Sequence, residues 1–204
     1  MPDPPLVLAS TSPRRREILE TLGLVFGIRA ADVDESLFPG ESPYDAAERL
    51  AREKAGRVSA SEPGAVVVAA DTIVVLEGRA FGKPADREDA VRMLWELCGR
   101  RHEVVTGLAV SRDGTLRSGR EVSGVVLAPM TEEEIRLYVA SGEPDDKAGA
   151  YALQGIGGVF IERVEGSPSN VIGLPVRLLA RLLGEVGIHV LPGGGRLPNA
   201  EALG

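Results

Sequence analysis

Asp71 interrupts an otherwise apolar run, Val68-Ala69-Ala70-Asp71-Thr72-Ile73-Val74. An ionised carboxylate is costly to bury, so a strand that carries one directs it toward a cleft, a metal or a partner. The chemistry open to Asp71 is that of a general base or a magnesium ligand. The plainer alternative is an aspartate at a bulge, satisfied by backbone N–H groups. Near the N-terminus, Leu6-Val7-Leu8-Ala9-Ser10-Thr11-Ser12-Pro13-Arg14-Arg15-Arg16 runs from an apolar strand straight into an arginine-headed helix. Such a turn aims backbone N–H groups and the positive end of the helix dipole at one point, where anions bind. Ser10, Thr11 and Ser12 add hydroxyls, Pro13 suits the first helical position and Ser12 the N-cap. Arg14 and Arg15 supply forked donors matched to phosphate oxygens, leaving Arg16 as a bystander.

Other candidates are weaker on local grounds. Gly78 to Lys83 has a superficial likeness to a Walker loop. Its glycine spacing is wrong, Pro84 stands where Ser or Thr is required, and no helix begins at the lysine. Lys83 therefore remains a candidate point charge for phosphate and, equally, an ordinary turn lysine. Lys54 lies on a helix whose buried side is marked by Leu50 and Ala51, and spacing alone favours a solvated lysine there. Glu35, in the acidic turn Asp32-Val33-Asp34-Glu35, could share a divalent cation with Asp71, because magnesium takes one or two carboxylates plus substrate oxygens and water. Gln154, in Asp146-Lys147-Ala148-Gly149-Ala150-Tyr151-Ala152-Leu153-Gln154-Gly155, offers donors and an acceptor that complement the imide edge of uracil or thymine. It reads equally as a polar loop residue. His102 and His189 lack ligand spacing, and Cys98 is expected in the core on the apolar side of a helix.

These residues need elements to hold them. Strand and helix patterns alternate, which implies α/β architecture. Strands are expected at 5–10, 26–30, 65–76, 102–112, 117–128 and 159–164. Helices are expected at 13–22, 43–60, 86–98, 131–140 and 174–186, the fourth opened by a Thr131/Glu134 capping box. Residues 142–158 read as a glycine-rich, ligand-facing loop. One domain is expected over 1–190, followed by a Gly/Pro-rich tail, 191–204, expected to be disordered.

Composition narrows the partners. The 204 residues are 44% hydrophobic, and 30 acidic residues against 23 Lys plus Arg give a net charge of −7. Nucleic acids and membrane surfaces select a basic face, so neither is expected as a stable partner. The single cysteine forbids an internal disulfide, and no signal-like or membrane-spanning segment is evident, so a cytoplasmic protein is expected.

Taken together, Leu8-Ala9-Ser10-Thr11-Ser12-Pro13-Arg14-Arg15, Ala70-Asp71-Thr72, Gly82-Lys83-Pro84, His102 to Gly107, Asp146 to Tyr151 and Gly166 to Pro175 resemble the Maf family, from about residue 5 to 187 and in the right order. The resemblance implies a mixed, curved β-sheet with flanking helices and a deep cleft between two lobes, like that of inosine triphosphatases, in a homodimer. It implies hydrolysis of a nucleoside triphosphate to monophosphate and pyrophosphate with a divalent cation, magnesium or manganese, in pool cleansing or division control. By position, Asp71 would be the proton acceptor; Ser10, Arg14, Arg15, Glu35, Lys54 and Lys83 would complete the phosphate and metal site, with Glu35 and Asp71 toward the metal. Arg14, Thr72 and Gln154 match the branch that acts on dTTP and UTP. The rival readings are a 7-methyl-GTP or modified-nucleotide pyrophosphatase and a non-catalytic regulator of septum formation.

Overall fold

The computed structural model describes residues 5–190. The expected tail, 191–204, lies outside them. The chain runs β1 (Leu6–Leu8), α1 (Pro13–Thr21), β2 (Phe26–Ile28), α2 (Pro43–Ser59), β3 (Val66–Leu76), β4 (Arg79–Phe81), α3 (Arg87–Leu97), β5 (Arg101–Arg112), β6 (Thr115–Leu127) and α4 (Glu132–Ala140). Three short 3₁₀ turns follow, at Glu143–Asp146, Ala148–Ala150 and Ile156–Phe160, then β7 (Ile161–Glu165), α5 (Pro168–Ile172) and α6 (Val176–Glu185). The sheet order is β2-β1-β3-β5-β6-β7, with β4 folded back onto β3. Strand β1 is parallel to both neighbours, and the remaining pairs are antiparallel, so the sheet is mixed as expected.

Two parallel crossovers leave β1 flanked by β2 on one side and β3 on the other, with α1 and α2 covering opposite faces. Crevices form outside the carboxyl end of a strand at such a reversal. Strand β3 is the spine of this arrangement. Its side chains alternate between faces without interruption. Val66, Val68 and Ala70 pack with Leu8, Leu19 and the leucines of α6. Val67 and Ala69 pack with Ala51, Ala55 and Val58 of α2. Beyond the middle of the strand, Val74 and Leu76 join α3 and α4, and Ile73 and Val75 join the start of α2. Asp71 and Thr72 therefore fall in the gaps between apolar clusters, one on each face.

Glycine at 107 makes one of these faces possible. It pairs across the sheet with Asp71, and a Cβ there would sit 2.1 Å from the Ala47 carbonyl oxygen. The missing side chain lets α2 lie directly on β5, which brings the middle of the helix over Asp71.

Several local expectations needed correction. Ser12 is at the N-cap of α1, but its side chain makes no capping bond; its N–H donates to Ser10 Oγ at 3.2 Å. Cys98 is the residue after α3, with extended backbone, and only partly buried. Trp95, on the same helix, is half exposed. The last strand begins at Ile161 because Ile156–Phe160 coil into a 3₁₀ turn. The hairpin strand β4 and the helix α5 were not anticipated, being three and five residues long, too short for periodicity to register. Within the rejected Walker-like stretch, Arg79–Phe81 is strand and no helix starts at Lys83, as expected.

Candidate active site

A cleft of about 400 Å³ opens at the carboxyl end of β1. Its walls carry every residue singled out from the sequence: Ser10, Arg14, Arg15, Glu35, Lys54, Asp71, Thr72, Lys83 and Gln154. Residues up to 144 positions apart in the chain thus converge on one space.

One wall is ionic. Lys54 is only 6% exposed, contrary to the solvated lysine that spacing favoured. It sits in the apolar stripe formed by Leu50, Ala51, Ala55 and Val58, so the helix turns it inward with them. Its Nζ donates to Asp71 Oδ1 at 2.5 Å and to Glu35 Oε1 at 2.6 Å. No bulge accommodates Asp71: β3 and β5 pair in unbroken register through Asp71 and Gly107. The two carboxylates share one ammonium yet respond oppositely. Burial pushes the Asp71 carboxyl above the ordinary aspartate value, against the pull of Lys54 and Arg15. Partial burial pushes Glu35 up as well, but Lys54, Lys83 and Arg15 outweigh it and leave it lowered. The side-chain exposures, 11% for Asp71 and 55% for Glu35, account for the difference.

The opposite wall is held by neutral partners. Arg15 donates from Nε to the Gly173 carbonyl oxygen at 2.9 Å, from Nη1 to Ser10 Oγ at 3.1 Å and from Nη2 to Thr72 Oγ1 at 3.1 Å. None of these is an anion, so neutral acceptors fix the guanidinium in place, within the electrostatic reach of Asp71 and Glu35. Arg14 stands at the rim, 3.8 Å from Asp146. Arg16 points away and pairs with Glu20 on the helix surface at 2.7 Å, the bystander expected.

The far end is a polar loop. The Gly149 N–H donates to the Gly82 carbonyl oxygen at 3.0 Å, tying the Lys83 turn to the 147–150 segment. Among the described residues Lys83 has no ion-pair partner. Gln154 is exposed on a loop that is itself braced: Ala152 N–H donates to the Tyr138 hydroxyl, and Ile156 and Gly157 N–H donate to the Glu143 carboxylate at 2.8 Å each. Tyr151, also in the cleft wall, bonds His102 Nε2 through its hydroxyl at 2.7 Å. Sequence reasoning assigned no role to Lys147, a further cation in this wall that pairs with Asp146. Its signal was its place in the glycine-rich stretch already recognised as ligand-facing.

Cations on three sides of a crevice, with a buried carboxylate among them, define an α/β protein suited to a phosphate-bearing ligand. A family model described as Maf-like protein matches residues 5–186, and the chain belongs to this family. It is 54% identical over 189 residues to a dTTP/UTP pyrophosphatase of Anaeromyxobacter dehalogenans, covering 90% of this chain and 95% of that one. It is 52% identical over 174 residues to a dTTP/UTP pyrophosphatase of Geobacter sulfurreducens, covering 84% and 91%. Among solved structures, the Ham1 protein of Staphylococcus aureus aligns with a TM-score of 0.45 at 17% identity, over 89% of this chain and 96% of that one.

Proposed function

We propose that this protein is a hydrolase that converts dTTP and UTP to the monophosphate and pyrophosphate. The observation that carries the reading is the shared cleft: a buried, lysine-paired Asp71 lies with a guanidinium, Arg15, whose hydrogen-bond partners are all neutral. The names of the relatives, at about half identity across nearly the whole chain, give the substrates. They do not favour the 7-methyl-GTP alternative.

Asp71 takes the proton of a water that attacks the α-phosphorus, and the bond from that phosphorus to the pyrophosphate oxygen breaks. A carboxylate whose affinity for protons is raised is the better base of the two available, and Lys54 keeps it ionised and oriented. Arg15, with Arg14 and Lys83, meets the charge that gathers on the departing pyrophosphate. The donor set fits magnesium or manganese. Lys54 engages one oxygen of Glu35 and one of Asp71, and these two carboxylates are the residues that would hold such a cation. Once bound, such a cation neutralises triphosphate charge and polarises the phosphoryl group. Gln154 reads the imide edge of the pyrimidine.

Family membership supports a homodimer. The net charge of −7 argues against a stable nucleic-acid partner, and no helix among the described residues is long and apolar enough to cross a membrane. The test is a panel of dTTP, UTP, CTP and 7-methyl-GTP with magnesium, scored for monophosphate and pyrophosphate. Turnover of dTTP and UTP with pyrophosphate release is expected. Release of orthophosphate, or preference for 7-methyl-GTP, overturns the assignment.

A further inference from the structure

Behind Arg15 a line of hydrogen bonds leads out of the cleft into the core. Arg15 Nη2 donates to Thr72 Oγ1, Thr72 Oγ1 lies 3.0 Å from Thr106 Oγ1, and Thr106 Oγ1 donates to the Asn170 carbonyl oxygen at 3.0 Å. Thr72 and Thr106 are directly paired across β3 and β5. Thr106 is fully buried and Asn170 likewise, and neither lines the cleft. Asn170 is itself pinned, its side-chain amide donating to the Val104 carbonyl at 2.9 Å and to Ser123 Oγ at 3.0 Å.

Counting protons gives the one assignment in which all three contacts are hydrogen bonds, with the Asn170 carbonyl accepting from Thr106 as well as from the Gly173 N–H at 2.9 Å. A hydroxyl has one proton and two acceptor positions. A carbonyl oxygen only accepts, so the Thr106 proton is committed to Asn170. Thr72 must then donate its own proton to Thr106, since the two hydroxyls would otherwise face each other without one. Arg15 can only donate, and it does so into Thr72. From Asn170 outward, each bond polarises the next in the same sense, which strengthens the line.

We infer that Thr106 is a positioning residue that fixes the Arg15 guanidinium through Thr72, and that Thr72 consequently meets a bound nucleotide only as a hydrogen-bond acceptor. An ionised phosphate oxygen has no proton to offer, so Thr72 has no bond to make with the triphosphate. The nucleotide groups that suit it are the imide N–H of uracil or thymine and the sugar hydroxyls. The inference rests on the proposed function for its substrate, and adds a buried residue that acts on the reaction without touching it.

The test is a double-mutant cycle of Thr72→Val and Thr106→Val, with Thr106→Ser as the conservative variant, read as steady-state kinetics on dTTP and UTP. Wild-type turnover is measured first; if neither nucleotide is cleaved, the proposed function fails, independently of the cycle. Given turnover, Thr106→Val is expected to lower kcat by about tenfold with KM changed less, because a loosened Arg15 weakens stabilisation of the departing charge. Thr106→Ser keeps the proton and recovers most of that loss. The double variant is no slower than Thr72→Val alone. Wild-type rates in Thr106→Val, equal losses in the Ser and Val variants, or losses that add in the double variant would each overturn the inference while leaving the substrate assignment intact. If Thr106→Val yields no folded protein, Thr106→Ala, which also lacks the hydroxyl, takes its place on the same scale.

Discussion

The two faces of β3 solve one problem, holding charge beside a polyanion, in opposite ways. On the Asp71 face the fixed groups are ions: Lys54 within hydrogen-bond distance of both Asp71 and Glu35. On the Thr72 face the scaffold is neutral: hydroxyls, backbone carbonyls, Asn170 and, four residues from Thr106 along β5, His102 against Tyr151. Burial pushes the His102 imidazole down to about 4, so it stays uncharged at neutral pH. The difference follows from what each face must do. A base has to gain a proton, so its affinity is adjusted by burial and a neighbouring ammonium. An arginine meant for phosphate must keep its charge unspent, and neutral acceptors orient it without cancelling it.

The contrast is sharpest if Asp71→Asn is made, since this removes the proposed proton acceptor and leaves the neutral face intact. The turnover number should fall about 10³-fold, within the usual range for loss of a general base. In the wild type, kcat should rise with pH along an acidic limb whose midpoint lies above the ordinary aspartate value, because the proposed base must be ionised to act and burial raises the Asp71 pKa. The neutral face has its own acid weakness. The unfolded chain protonates His102 near 6.5 and the folded one only near 4, so the unfolded state binds more protons between these values. Stability present above pH 6.5 is therefore lost as pH falls toward 4, and the loss amounts to ~3 kcal/mol. His102→Gln should flatten that part of the denaturation profile; an unchanged slope would put the acid sensitivity elsewhere.

Arg15→Lys keeps the charge and removes the fork. It should lower kcat/KM about 10²-fold, because a lysine cannot make the Nε and paired Nη bonds that aim the group. Gln154→Ala is the mildest change. Rates on UTP should drop modestly, and the preference for UTP over CTP should shrink by about tenfold, measured as a ratio of kcat/KM values.

Much of this was legible in the sequence, for reasons that differ by residue. Asp71 could be found because a carboxylate in a β-branched run has few innocent explanations. The arginines were found through the strand-to-helix turn and the α/β architecture through alternating periodicities, whereas the mixed sheet was implied only by the family resemblance. Lys54 was read locally as solvated, although its spacing from Leu50, Ala51, Ala55 and Val58 marked it as facing inward. Only the family resemblance promoted it. Thr106 and Asn170 lay within recognised motifs but received no role, since a hydroxyl in a strand carries no sign of its partner until β3 and β5 are in register. Likewise, the close approach of α2 over Gly107 is a packing fact that one glycine in a strand does not announce.

Hydrolysis of dTTP in water enriched in oxygen-18 tests the central claim most directly, because it reports which phosphorus the water attacks. With Asp71 as the proposed base, water attacks the α-phosphorus, so the label should appear in the monophosphate and be absent from the pyrophosphate. Label in the pyrophosphate would contradict the account.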